Sequence, residues 1–324
     1  MDAFRGFEDD PKIFITAMHL SSLYSVPLFF VGLYCIIWVS PPRMERYRWW
    51  LLYHIVSAFA CELALNCGAT PVLYLPVIGG YPRGLFWKLG IPSVTMLALM
   101  STLFLEVILS ILHLFYYRYR MVLPTDHRLQ PHLFCIYLFF ATLHIVALVV
   151  YPLLIFIHEP NQRTAKQQVA QKFSPIPASL YSNETLIYEI DGTSTYAVMV
   201  GVSASLVLFS TIITVYFAVY SFSFLSSHRA VFSQKTLLLQ KSYLFSLILQ
   251  VSVHVCAFAL PLFTMVTAIA MNFPSQRLTN MTVYFLGIHG SSGIVAMLAG
   301  NGVYRRRIKN ILVGLPLLAS KRWE

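Results

Sequence analysis

Long apolar runs, separated by short polar segments, follow one another along the whole chain. The clearest run covers residues 91–115 and carries a single charged residue, Glu106, before it ends on the aromatic and basic sequence YYRYR. At about 1.5 Å per residue, a helix of this length crosses a hydrocarbon core of about 30 Å. We therefore predict a transmembrane helix here and take it as the central helix of a membrane bundle.

The same length criterion predicts about seven membrane-spanning helices, each end being defined to within about four residues. Neither a soluble domain nor an internal repeat interrupts the pattern, so residues 1–324 are predicted to form one all-α, seven-helix membrane domain. The predicted spans are 18–39, 49–73, 91–115, 132–157, 196–224, 243–270 and 281–299.

Composition supports a polytopic membrane protein. Hydrophobic residues make up 57% and charged residues 11% of the chain, whereas about a quarter of the residues in a soluble domain are charged. A net charge of +10 could indicate nucleic-acid binding, but that function requires a basic face on a soluble module. The positive charges here lie in short segments between apolar runs, so we predict the lipid bilayer, and no nucleic acid, as a partner.

The positive charges are concentrated on one side of the predicted membrane. Segments after the first, third, fifth and seventh runs carry 15 Lys and Arg against three acids, whereas the other segments and the N-terminus carry eight against eight. By the positive-inside rule the first set is cytoplasmic. We therefore predict an extracellular N-terminus at 1–17, a long extracellular loop at 158–195 and a cytoplasmic tail at 300–324.

Features of two connecting segments refine this topology. Asn183 begins an acceptor triplet for N-glycosylation in the long loop, whereas Asn280 begins a second triplet that is expected to lie too close to the bilayer for modification. Two alternatives remain for the long loop, which is either a lid over an extracellular opening or a disordered connection. Residues 304–318 mix basic and apolar residues and are predicted to form an amphipathic helix on the inner surface.

Polar and ionisable residues within spans are costly and usually face the bundle interior. Such residues could also belong to a catalytic or metal site. The chain has no HExxH zinc motif, no GxSxG elbow and no aspartate within a predicted span, so we predict neither an enzyme nor a bound metal or other cofactor. The residues concerned are Glu62, Glu106, His113, His144, Gln250, His254 and His289.

Three of these residues are candidate ligand-binding groups. Glu106 lies in the middle of the central helix, where it would act as a counter-charge or switch, or else as a carboxylate that fastens neighbouring helices. Gln250 and His254 are four residues apart and share one helix face, and Pro261 is expected to kink the same helix. An interhelical hydrogen bond is the alternative role for this pair.

The alternative function for the whole protein is a channel or transporter that uses the buried Glu and His groups.

Seven spans with an external N-terminus resemble a G-protein-coupled receptor, although hallmarks of the rhodopsin-like group are absent. No acid precedes Arg118 at the end of the third span, and the seventh span lacks NPxxY.

A closer resemblance is to the nematode serpentine chemoreceptors of class H, within the Str-like superfamily, with the sister class I as the alternative. Residues 71–93 resemble the class pattern of a proline, an apolar run and GYPxG, and FYYRYR resembles its arginine and aromatic junction. Residues 287–306, GIHGSSGIVAMLAGNGVYRR, resemble its HGxxST, ML and PYR ending. Tyr116 and Tyr117 stand where the class usually has Glu-Asn, and Gly293 and Val303 replace its threonine and proline.

This resemblance implies a chemosensory receptor in the plasma membrane, in the ciliary membrane of sensory neurons. It would detect a small, odorant-like molecule and signal through a heterotrimeric G protein. Arg118 and Tyr119, with the basic segment 229–241, would then contact the G protein. The ligand cavity is expected between the third, fifth, sixth and seventh spans.

Overall fold

The computed structural model describes residues 4–44, 46–123, 133–189, 195–227 and 234–312. Within these residues, six helices are long and apolar enough to cross a membrane, and a pair bent by 44° forms a seventh span. The predicted seven-helix membrane bundle is therefore confirmed. The helices are α1 (Lys12–Val39), α2 (Tyr47–Ala69), α3 (Ser93–Val122), α4 (Phe134–Ile157), α5 (Thr195–Ser227), α6 (Gln234–His254, continued through Val255–Ala259 and Leu260–Ala270), and α7, with a first half (Gln276–Gly287) and a second half (His289–Gly300).

Helix α3 is the central helix of the bundle, as the sequence predicted. It packs against α2, α4 and α5, and Val107, Leu114 and Phe115 along it are almost completely buried. The second half of α7 packs between α2 and α6. These contacts bring polar residues of α2, α3, α6 and α7 into the interior.

Proline residues in α4 and α6 follow wide, π-helical turns. The turn Val146–Val150 lies just before Pro152, and the turn Val255–Ala259 lies just before Pro261. Proline lacks the N–H that would bond four residues back, and its ring crowds that carbonyl. A π-helical turn is one way a helix accommodates such a residue, so the irregularity expected at Pro261 is a local widening of α6.

A three-stranded antiparallel sheet, which the sequence did not predict, lies at one end of the bundle. Strands β1 (Pro71–Leu73) and β2 (Ile78–Pro82) form a hairpin, and β3 (Leu186–Glu189) pairs with the other edge of β2. The loop between α4 and β3 also contains a helix, Gln162–Lys172, capped by the side chain of Asn161. The described part of the long loop is therefore ordered rather than a disordered connection.

The segment before α1 binds to this sheet. Asp9 accepts hydrogen bonds from the backbone N–H groups of Ala178 and Ser179 and from the Ser179 hydroxyl. Its backbone carbonyl accepts bonds from Tyr81 at 2.6 Å and from Arg83 at 2.9 Å. We call the sheet, the loop 158–189 and residues 4–11 the cap.

Aromatic packing completes the cap. The ring of Phe4 makes edge contacts with Phe7, Tyr74 and Phe173, and Phe7 stacks on Tyr74 at 5.2 Å between ring centroids. Burial raises the pKa of Tyr81 to about 12, and burial also raises the pKa of Tyr74. These phenols therefore stay protonated and available as hydrogen-bond donors across the physiological pH range.

A short tail helix, Gly302–Leu312, follows α7 at the end of the bundle opposite the cap. The ring of Tyr304 is fully buried, and its hydroxyl lies 2.7 Å from that of Ser40. Arg307 donates a 2.7 Å hydrogen bond to the hydroxyl of Tyr34. The predicted amphipathic helix is thus present over its first part, while residues 313–324 lie outside the described residues.

Candidate functional site

A cavity of about 320 Å³, here called the main cavity, lies beneath the sheet. Its walls come from α3, α5, α6 and the first half of α7, with β1, β2 and β3 as its roof and further contributions from α2 and α4. It therefore lies between the four helices where the sequence predicted a ligand cavity. Representative lining residues are Met100, Phe104, Val207, Met265 and Val283.

The lining of this cavity is mostly aliphatic and aromatic, and none of the described lining residues is charged. One polar pair, Tyr151 of α4 and Ser203 of α5, has its hydroxyl oxygens 2.5 Å apart. Ligand pockets are usually about 300–1,000 Å³ and mainly apolar, with few polar groups. This cavity fits a small, uncharged molecule.

Glu106 lies outside the lining of the main cavity and joins three helices. Its carboxylate accepts a 2.5 Å hydrogen bond from the hydroxyl of Tyr53 in α2, and Nδ1 of His144 in α4 lies 3.1 Å away. The Glu106 side chain is 13% exposed and that of His144 is 28% exposed. This geometry is that of a carboxylate that fastens neighbouring helices, the second of the two roles predicted for it.

His113, about two turns along α3 from Glu106, extends the same group of polar residues. Its ring is stacked on Trp50 at 4.5 Å, lies against Phe140 at 3.8 Å and is 5.3 Å from His144, all between ring centroids. The sequence placed Glu106 and His113 in the third span and His144 in the fourth, and only the structure shows that α2, α3 and α4 bring these groups together.

Gln250 and His254 share one face of α6, as their spacing predicted, and this face is turned to the interior, but neither residue lines the main cavity. His254 lines a second cavity of about 20 Å³ between α3, α5 and α6, with Ser210 and Thr214. Ile108 and Val207 line both cavities. The second cavity is large enough for about one water molecule, and it lies next to the main one.

Three histidines from three helices meet below the main cavity. The ring centroid of His254 is 6.4 Å from that of His54 in α2 and 5.7 Å from that of His289 in α7. Nδ1 of His54 lies 2.9 Å from the Ser110 hydroxyl, and Nδ1 of His289 donates to the Leu286 carbonyl. Among the described residues, no group of three or more His, Cys, Asp or Glu has the arrangement of a metal site.

Glu62 and Asn66 in α2 contact the break in α7. Both side chains are completely buried. Asn66 donates to the Gly287 carbonyl at 2.6 Å, and Glu62 accepts from the Ser291 N–H at 2.5 Å. A break in a helix leaves backbone groups without intrahelical partners, so these two side chains satisfy groups that the bend of α7 frees.

The two residues predicted to contact a G protein lie at the end of α3 opposite the cap. Arg118 is 7% exposed, and its guanidinium carbon lies 3.5 Å from the centroid of the Tyr47 ring. Tyr119 is also buried and packs against Phe217 and Tyr220 of α5. Both side chains are covered in this conformation. The basic segment 229–241 was predicted to act with them, and its residues 228–233 lie outside the described residues.

Asn183, the predicted glycosylation site, is exposed in a turn of the cap. The hydroxyl of Thr185, the third residue of the triplet, is buried and donates to the Ser179 carbonyl. In the second triplet, Asn280 lies within the first half of α7 and is partly buried.

Comparison with known proteins gives one informative result. The family model described as serpentine type 7TM GPCR chemoreceptor Srh matches residues 9–314. A search of curated proteins finds no match. The matched region includes all seven spans, the tail helix and the cap except residues 4–8.

Proposed function

Because the chain belongs to the Srh family of serpentine seven-transmembrane chemoreceptors, we propose that it detects a small environmental molecule and signals through a heterotrimeric G protein. The observation that carries this proposal is the apolar cavity of about 320 Å³ between α3, α5, α6 and α7. A molecule bound there touches four helices at once. Its binding energy can therefore favour one arrangement of these helices over another.

The cap would face the outside of the cell and the tail helix the cytoplasm. The charge distribution supports this orientation, because the segments at the tail end carry 15 positive residues against three acids. The receptor would lie in the plasma membrane, and its family suggests the ciliary membrane of sensory neurons. Asn183, exposed in the cap, would carry an N-linked glycan.

Ligand binding in the cavity would reach the G protein through α3 and α6. Arg118 and Tyr119 would become accessible when the tail end opens, since both are covered in the present conformation. Of the three polar residues predicted to bind ligand, His254 is nearest to the main cavity, because the small cavity that it lines shares Ile108 and Val207 with the main one. Glu106 and Gln250 would act on the helix arrangement rather than touch the ligand.

A pair of neighbouring substitutions tests the cavity as the ligand site. Val207 lines the cavity and is 8% exposed, whereas Leu208 is 59% exposed on the outer face of α5. We would screen uncharged, odorant-like molecules for G-protein activation in cells that express the wild-type chain, and then test Val207→Trp beside Leu208→Trp. The proposal requires that Val207→Trp abolish the response and that Leu208→Trp preserve it, at equal surface expression.

Two results would contradict the proposal. Equal responses from both variants would show that the cavity is not the ligand site. A ligand-evoked current in liposomes that contain only this protein would instead favour the channel or transporter that the buried Glu and His groups suggested.

A further inference from the structure

The polar side chains that line the main cavity all carry hydroxyl groups, and nearly all of these hydroxyls have hydrogen-bond partners. Tyr81, Ser93 and Tyr188 donate to the backbone carbonyls of Asp9, Glu184 and Ile155. Tyr151 and Ser203 bond to each other. The sixth hydroxyl belongs to Ser101 of α3, and it makes no hydrogen bond within the part of the chain that the structure describes.

Helical serine and threonine residues often donate to a carbonyl three or four residues back, and several residues of this chain do so. Ser205 donates to Gly201, and Thr211 donates to Val207. Ser101 lies in the middle of the α3 wall but does not make this bond. Its hydroxyl therefore opens into the cavity with its hydrogen available.

The other lining residues restrict what can bind to this hydroxyl. Because none of the described lining residues is charged, an ammonium or carboxylate would lose its hydration with no counter-charge. The other five hydroxyls already have partners and the remaining lining side chains are apolar, so additional polar groups on a ligand would find no free partner. One hydrogen-bonding group on an otherwise apolar molecule suits the cavity.

We propose that Ser101 determines ligand specificity, and that the ligand is an uncharged molecule with an apolar skeleton and a single carbonyl oxygen that accepts the Ser101 hydrogen bond. Ketones, aldehydes and simple esters belong to this class. The inference rests on the proposed function of the cavity as the ligand site. It extends that function by naming the ligand class and the residue that recognises it.

Matched pairs of probes test this assignment with the full-length chain in lipid nanodiscs. Cyclooctanone is paired with cyclooctane, and acetophenone with isopropylbenzene, so that each pair differs mainly by the carbonyl. Binding is measured for wild type, Ser101→Ala, Ser101→Thr and the control Ser205→Ala, whose hydroxyl lies on the exposed face of α5. Thermal unfolding of each variant without probe verifies that it folds.

We expect Ser101→Ala to weaken the binding of each ketone about fivefold, the effect of losing one neutral hydrogen bond, and to leave the binding of its hydrocarbon partner unchanged. Ser101→Thr should restore ketone binding, and Ser205→Ala should leave it unchanged.

The possible failures are distinguishable. If Ser101→Ala binds the ketones as tightly as wild type does, or weakens ketone and hydrocarbon binding alike, the ligand class and the role of Ser101 are wrong while the cavity remains the ligand site. If none of the probes binds, and Val207→Trp leaves ligand-evoked signalling intact, the proposed function of the cavity fails as well.

Discussion

The carboxylate of Glu62 in α2 accepts a 2.5 Å hydrogen bond from the backbone N–H of Ser291, in the first turn of the second half of α7. A carboxylate at the start of a helix satisfies free N–H groups and interacts favourably with the helix dipole. Glu62 is completely buried, so this contact takes place away from solvent. The bend of α7 is thus held by α2 rather than by its own sequence.

Glycine makes this approach of α7 to α2 possible. A Cβ at Gly290 would lie 2.7 Å from the Glu62 carboxylate and 2.8 Å from the Ala58 carbonyl, whereas a Cβ at Gly293 would meet nothing within 4 Å. We predict that Gly290→Ala destabilises the protein by about 1–3 kcal/mol, as overpacking does. Gly293→Ala should be neutral or slightly stabilising, because alanine favours a helix.

Thermal unfolding of the two purified variants in detergent provides the measurement. A lower midpoint for Gly290→Ala alone is the expected result. Equal midpoints for the two variants would show that the close contact between α7 and α2 is not a feature of the folded protein.

Apolar patterning predicted the spans well, but it could not show where each helix ends. The third span was predicted at 91–115, and α3 extends over Ser93–Val122. Aromatic and basic residues suit the membrane interface, so YYRYR continues the helix beyond the apolar run. The second span was predicted at 49–73 but α2 ends at Ala69, because Thr70 adopts a left-handed conformation before β1.

The bend of α7 and the sheet depend on contacts between distant parts of the chain. Asn66 and Glu62 bond to residues 221 and 229 positions later, and no proline in α7 marks the bend. Strand β3 is four residues long, and it pairs with β2 from across α3 and α4. Local sequence carries little information on either feature.

The residues that line the ligand cavity could not be identified from local sequence either. Candidates were chosen from the sequence because polar groups are costly in a membrane, and they lie in the bundle interior but outside the lining of the main cavity. An apolar residue such as Met265 that lines a cavity cannot be distinguished in sequence from one that faces lipid. By contrast, the class H resemblance rested on motifs spread along the chain, and the match over residues 9–314 confirms it.

Asp9 should hold the cap together. It bonds to two backbone N–H groups and one hydroxyl of the long loop, and hydrogen bonds to a charged group are stronger than neutral ones. We predict that Asp9→Ala makes the amides of Ala178 and Ser179 exchange with solvent about tenfold faster. Asp10→Ala removes the same charge from an exposed neighbour and should leave exchange unchanged. Hydrogen-exchange mass spectrometry would contradict this role if both variants behaved alike.

Tyr81 should make the cap sensitive to alkaline pH. Burial raises its pKa to about 12, compared with about 10 in an unfolded chain. The folded state therefore holds the proton more tightly, and the stabilisation is complete below about pH 10 and is lost as pH rises through 12. The tyrosinate absorbance of wild type minus that of Tyr81→Phe should show one group titrating near pH 12. A difference curve centred near pH 10 would contradict the buried, hydrogen-bonded phenol.

The topology prediction depends on where Asn183 lies. We expect a glycosidase-sensitive form that disappears in Asn183→Gln and persists in Asn280→Gln, because Asn280 lies within a spanning helix. An N-terminal epitope should be accessible in unpermeabilised cells, since the segment before α1 binds to the same cap. An epitope detected only after permeabilisation, with Asn183 unmodified at the cell surface, would reverse the orientation.

Arg118 should be required for signalling. Its guanidinium lies 3.5 Å from the Tyr47 ring centroid in the covered conformation, and a cation held over an aromatic ring can be released at modest cost when the helices move. We predict that Arg118→Ala abolishes ligand-evoked G-protein activation at normal surface expression. Arg120→Ala should preserve it, because residues two apart on a helix face in nearly opposite directions. Full signalling by Arg118→Ala would assign the contact with Tyr47 a purely structural role and place the G-protein interface elsewhere at the tail end.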